Sequence, residues 1–179
     1  TAGSVAAFTT DQVSALSTDQ VAKLTTGAVE ALRTAQVAVL STAQIAAMTT
    51  SQVEKLTADN AAVLSAEQVF AFTTDQVKKL TADAIEALDV DSVASMGTDQ
   101  LAALTTDQIR ALQTEDFARL DDAQVGALTV AQVAKLETGD IQALDYRVDK
   151  FSTDQVQAMT TEHMAVLSSD QVSGFSTAQ

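Results

Sequence analysis

One eight-residue phrase runs through the chain, and its period limits the possible folds more than any other feature. In TTDQVSALSTDQVAKL, residues 9–24, it stands twice in succession. Laid out in eights from Thr1, the register holds without insertion through Leu144. A seven-residue unit, DYRVDKF at 145–151, follows, and the eights resume at Ser152. The consensus is T-T-D-Q-V-A-A-L. Its fifth place holds Val13, Val21, Val29, Val37, Ile45 and Val53, and its eighth Leu16, Leu24, Leu32, Leu40, Met48 and Leu56. Nearly every large apolar side chain belongs to one of these two columns. Repetition at a short fixed period predicts a single array over 1–179, with a one-residue-short repeat at 145–151, rather than domains joined by linkers.

The period discriminates between the regular structures. In a strand the fifth and eighth places face opposite sides, so an octad would bury its valine and expose its leucine. In a helix they share a face, but eight residues advance the chain by about 800°, a drift of about 80° per octad. An unbroken helix would wind its apolar stripe around itself, so the helix must break in every octad. The signals for that break are present. First places are mostly Thr, Ser or Asp, the side chains that cap a helix start. Gln stands three residues later, as in Thr9 with Gln12, Ser17 with Gln20 and Thr73 with Gln76, which is the reciprocal capping box. Third places are often acidic (Asp11, Asp19, Asp75, Asp99, Asp107), complementing the positive end of the helix dipole. Asp19 with Lys23, Asp75 with Lys79 and Glu115 with Arg119 stand at i,i+4 in the favourable order. These signals agree on a helix of about two turns per octad.

Such a helix cannot stand alone, because two buried aliphatic side chains do not offset the ordering of eight residues. Stacked octads sharing their valine and leucine columns do. The expected fold is therefore all-α, an α-solenoid of very short helices in which each octad mainly contacts the next ones along. The alternative is a β-solenoid with two octads per coil, which Thr and Val would suit. The Ala, Gln, Leu and Lys content and the scarcity of glycine argue against it.

Composition removes several function classes. A hydrophobic fraction of 46% and a mean hydropathy of +0.11 exclude a disordered acidic tail. The net charge of −14 repels phosphate backbones and anionic lipid surfaces, and no apolar run approaches the roughly 18 residues of a membrane span. Neither nucleic acid nor membrane insertion is expected. With no cysteine and a single histidine, His163 in TTEHMAVL, convergent partners for a catalytic base or metal site are missing, and His163 reads as a substituted capping residue. No glycine-rich phosphate loop and no calcium loop motif occurs. No enzymatic activity and no cofactor is expected, beyond weak calcium binding by a ladder of carboxylates.

Two departures from the repeat stand out. DYRVDKF drops the Gln place and carries the only tyrosine, Tyr146, marking a kink, a contact site or a tolerated deletion. Ala61 stands where valine is expected, and the next octad has an extra aromatic, Phe70. Phe70 either fills the space at Ala61 or points outward as a subunit contact.

Phrases such as LSTDQVAKL and LRTAQVAVLSTAQIAAM resemble the tandem LTTAQVAAL-type units of long secreted and cell-surface proteins of Gram-negative bacteria, among them adhesin-like proteins. The resemblance covers essentially the whole chain. It implies export, an extracellular or surface position and a mechanical or adhesive role, and it supplies no catalytic residue. DYRVDKF lies outside its pattern. The chain opens at Thr1 and stops in STAQ, partway into a further octad, as an excerpt of a longer array would. The expected function is a structural segment or subunit of a filament, surface layer or adhesin stalk, with other copies of itself and other cell-surface components as partners. Its first and last octads stay close to consensus and lack a polar cap, so ends should dock head to tail. Candidate self-assembly contacts are Val5, Phe8, Phe70, Tyr146, Val172 and Phe175. The alternative function is a binding module whose threonine array recognises ice or polysaccharide.

Overall fold

A computed structural model of the chain describes residues 5–179, so Thr1 to Ser4 of the first octad lie outside it. Regular structure among the described residues is helical throughout, an all-α solenoid without a β-strand, and the β-solenoid alternative is not what forms. The helices are shorter than the expected two turns, from four residues in Thr50–Val53 to six in Thr42–Ala47. The corners take up the rest of each octad. At one of them Met48 and Thr49 are both extended, with φ −61 and ψ 141 at the first and φ −73 and ψ 156 at the second. Each helix therefore starts at a second place, where the extended first-place residue caps it. Ser41 Oγ accepts from the Gln44 N–H at 3.2 Å, and Gln44 Oε1 accepts from the Ser41 N–H at 2.8 Å. The same reciprocal pairs form at Thr9 with Gln12, Ser17 with Gln20 and Thr73 with Gln76. The short helices also alter one expected ion pair. Thr74–Val77 ends before Lys79, and Asp75 pairs instead with Lys78 at 3.9 Å, an exposed contact of little energetic weight.

Contacts gather the chain into two compact units, Thr1–Met96 and Gly97–Gln179. In the first, a helix packs not on its sequence neighbour, as expected, but on the helix three octads further along. Thr10–Ser14, Thr34–Val37, Ala58–Ala61 and Ala82–Glu86 form one stack; Thr18–Ala22, Thr42–Ala47, Ala66–Phe70 and Val90–Ala94 form a second; Thr26–Glu30, Thr50–Val53 and Thr74–Val77 form a third. Three octads thus make one coil of this unit. The second unit obeys the same rule, with Thr114–Arg119 on Thr138–Ala143 and that helix on Thr161–Val166. Fifth-place side chains form the centre of each unit: Val29, Val37, Ile45, Val53, Leu101, Ile109, Val125 and Val133 are 0% exposed. Eighth-place leucines close around them, among them Leu40, Leu56, Leu104 and Leu128. A third buried column, absent from the sequence reading, consists of fourth-place glutamines.

One octad breaks both columns. In TADNAAVL, 57–64, Asn60 replaces glutamine and the fully buried Ala61 replaces valine. Asn60 accepts nothing from the Thr57 N–H, and its Nδ2 is buried without a hydrogen-bond partner. One methylene more would carry this amide to the Val29 and Leu32 carbonyls, which stand in the same register as the acceptors of neighbouring glutamines. Asn60→Gln is predicted to raise stability by about 1 kcal/mol, read as a higher urea midpoint at unchanged slope.

Candidate functional site

The repeated contact between coils is the feature of this structure with most functional content, and it is made by the glutamine side chain. Its amide has two ends with two tasks. Gln44 Oε1 serves its own helix in the capping box, while Nε2 donates to Leu16 O at 2.8 Å and Val13 O at 3.0 Å, 28 and 31 residues earlier. Gln52 repeats this on Leu24 and Val21, Gln68 on Leu40 and Val37, and Gln76 on Met48 and Ile45. In the second unit Gln132 bonds Leu104 and Leu101. Each of these glutamines thus ties the start of one helix to the corner that ends an octad one coil below. Gln44 and Gln52 are 2% and 1% exposed, so these bonds are shielded from water.

Substituted octads show what the contact requires. In DYRVDKF, the helix Thr138–Ala143 is followed by Asp145 at φ 52, a left-handed residue, and by a 3-10 helix over Asp145–Lys150. The octad has lost its glutamine, and Arg147 takes over. Its guanidinium donates to the carbonyls of Leu120 and, at 3.0 Å, Ala118, the coil-below position, and also to Leu144 O of its own coil at 3.0 Å. The deletion is thereby accommodated without breaking the array. At His163 both ring nitrogens are used, which fixes the tautomer: Nδ1 accepts from the Thr160 N–H at 3.2 Å, and Nε2–H donates to Leu136 O at 2.8 Å. This histidine is 3% exposed and stands in for glutamine at both ends of the amide.

Asp140 does only half of the task. Its carboxylate accepts from the Glu137 N–H at 2.8 Å and from Thr114 Oγ1 at 3.1 Å, and it has no proton to offer a carbonyl while ionised. Burial pushes its carboxyl above the ordinary range, with the nearby Glu137 charge acting in the same direction; the two hydrogen bonds and His163 act against this. Two third-place acids behave oppositely. Glu67 and Glu162 lie below the usual carboxylate range because their own N–H groups, and then the hydroxyls of Ser65 and Thr160, bond the charged form.

The candidate contacts fall into different places. Val5 is buried at 5%, Phe8 and Phe175 are half-buried, and Phe70, Tyr146 and Val172 are exposed at 63%, 59% and 53%. Phe70 therefore points outward and does not fill the space at Ala61. The Arg147 guanidinium lies over the Tyr146 ring, 5.9 Å from its centroid. First-place hydroxyls act as cap acceptors, so the threonine face on which lattice recognition would draw is already partly engaged. Among the described residues no group of three or more His, Cys, Asp or Glu side chains could hold a metal ion, and no helix is long and apolar enough to cross a membrane.

Sequence reasoning missed the donor half of glutamine and the role of Arg147. The signal for the first was available: a capping box accepts Glu as readily as Gln, yet glutamate never occupies the fourth place in this chain. Persistent choice of the amide marks a second, donating task in a buried setting.

Comparison with known families matches residues 1–26, 27–58, 85–114 and 133–177 to the ALTTAQ repeat. No curated protein matches the chain.

Two substitutions isolate the contact. Gln52→Glu keeps the volume and the capping oxygen but turns an oxygen toward the Val21 and Leu24 carbonyls. It is predicted to cost about 3 kcal/mol at neutral pH and to regain part of this in acid, where the protonated carboxyl can donate. Urea titrations at both pH values measure this. For Asp140 the folded-state pKa is raised, so the native state holds its proton more tightly than the unfolded chain. Stability is then lost as pH rises from the ordinary value near 3.8 through the raised one. Asp140→Asn is predicted to be more stable than the parent at neutral pH and to lack this component of the fall.

Proposed function

From the premise that this chain belongs to the ALTTAQ repeat family, we propose that it is a structural protein of the cell exterior of a Gram-negative bacterium, a self-associating α-solenoid that builds a filament, a surface layer or the stalk of an adhesin. The observation that carries this reading is the glutamine-to-carbonyl contact repeated between coils. It uses main-chain acceptors and one recurring side chain, so it is indifferent to which octad stands on which. Stiffness within each unit follows, because shielded hydrogen bonds as well as the apolar columns tie coil to coil there. Extension by like units follows too, because the same surface recurs at each level and a head-to-tail contact need not close.

The side chains with chemical potential, His163 and Asp140, are spent on caps and coil contacts. The excess of acidic residues over basic ones, net −14, favours solubility of a repeat array and discourages adhesion to nucleic acid or anionic lipid.

Electron microscopy of the purified chain at neutral pH, with and without calcium, tests the reading. Uniform filaments of indefinite length are expected, unchanged by chelation. Isolated short particles at all concentrations would contradict self-association and reduce the chain to a spacer.

A further inference from the structure

We infer that the octad 57–64 holds a single buried water molecule, standing where a glutamine nitrogen stands at other levels and bonded to Asn60 Nδ2 and to the Leu32 and Val29 carbonyls. Regular levels show what that position demands. A fourth-place Nε2 carries two hydrogens, and it directs them to the eighth-place carbonyl 28 residues earlier and the fifth-place carbonyl 31 residues earlier. Gln52 does so at 2.7 Å on Leu24 and 2.8 Å on Val21. The Val21 carbonyl accepts this donor although it also takes the Leu24 N–H at 3.0 Å. Ser92, a shorter residue in a fourth place, still supplies a donor, its hydroxyl lying 3.0 Å from Leu64 O, again 28 residues earlier.

At 57–64 the same contact is open from both sides. Asn60 is 2% exposed and its Nδ2 has no partner, while Leu32 O, the acceptor 28 residues earlier, accepts no hydrogen bond among the described residues. Val29 O takes the Leu32 N–H at 3.0 Å, as Val21 O takes that of Leu24, so it too stands ready for a second donor. Two side chains are shortened here together. Asparagine lacks one methylene of glutamine, and the fully buried Ala61 lacks both methyl groups of the fifth-place valine. Three carbon atoms withdrawn from one level leave room for a ligand of one heavy atom.

The polar groups select water as that ligand. It has two hydrogens for the two carbonyls, like the amide nitrogen whose place it takes, and a lone pair for Asn60 Nδ2–H. Its three partners are the usual number for a buried water. A cation would face the amide hydrogens and an anion the carbonyl oxygens, each a contact of the wrong sign. An apolar guest would leave the amide and the Leu32 carbonyl unpaired.

Water–protein NMR on the chain held monomeric tests this. Cross-relaxation between a long-lived water and the Asn60 side-chain amide protons is expected. Oxygen-17 relaxation dispersion should count one more long-lived water in the parent than in Asn60→Gln, whose longer amide takes the site. Asn60 amide protons that show no such cross-relaxation, or an equal count in the two chains, would overturn the inference. The spectrum of the parent decides it even where the substitution disturbs folding.

Discussion

The structure depends on a buried primary amide that must be satisfied at both ends. A fourth-place glutamine gives its oxygen to the N–H that opens its own helix and its nitrogen to a carbonyl one coil away, as Gln76 does with Thr73 and Met48. The capping bond holds the side chain at the start of its own helix, and from there the nitrogen reaches the carbonyls at the corners between octads. Those corners are open because helices of four to six residues end after a single turn or little more. The brevity of the helix, unfavourable in isolation, is thus what supplies the acceptors that hold the coils together.

Much of this architecture is legible in the octad. The valine and leucine columns, the breaking of the helix in every octad and the capping box all follow from the period and the residue types, as Ser41, Gln44, Ile45 and Met48 show. The number of octads per coil is not legible, because it depends on the angle between successive helices. That angle is set by paired extended residues such as Met48 and Thr49, whose torsions no propensity specifies. The sequence also suggested contact with the next octad along, whereas packing joins each octad to the one three places on. Arg147 was invisible as a replacement for glutamine, since a guanidinium three residues into a shortened unit matches the amide only after Asp145 has turned the chain at φ 52.

The irregular octads show how much chemistry the array tolerates. His163 reproduces both ends of the amide with one ring, and Arg147 reproduces the donor end without a cap. Asp140 and Asn60 keep shorter side chains at a cost, in one case a buried carboxylate and in the other an unpaired amide nitrogen. The octads of His163, Asp140 and Asn60 keep their α-helix, and the unit of Arg147 exchanges it for a 3-10 helix. A contact to the main chain is permissive in this way because its acceptor does not change when side chains do. That permissiveness suits a part whose task is to continue a repeat, and it leaves outward groups such as Phe70 and Tyr146 free to vary in what they present to a neighbour.

The central claim is that the glutamine amides hold coil to coil, and exchange of their own side-chain protons tests it most directly. In a hydrogen-exchange experiment followed by NMR, the Nε2 protons of Gln44, Gln52, Gln68 and Gln76 should be strongly protected. Those of Gln12 and Gln20, whose residues are exposed, should exchange at solvent rates when the chain is held monomeric. Rapid exchange at all six would contradict the claim, because the coils would then be joined by their apolar columns alone.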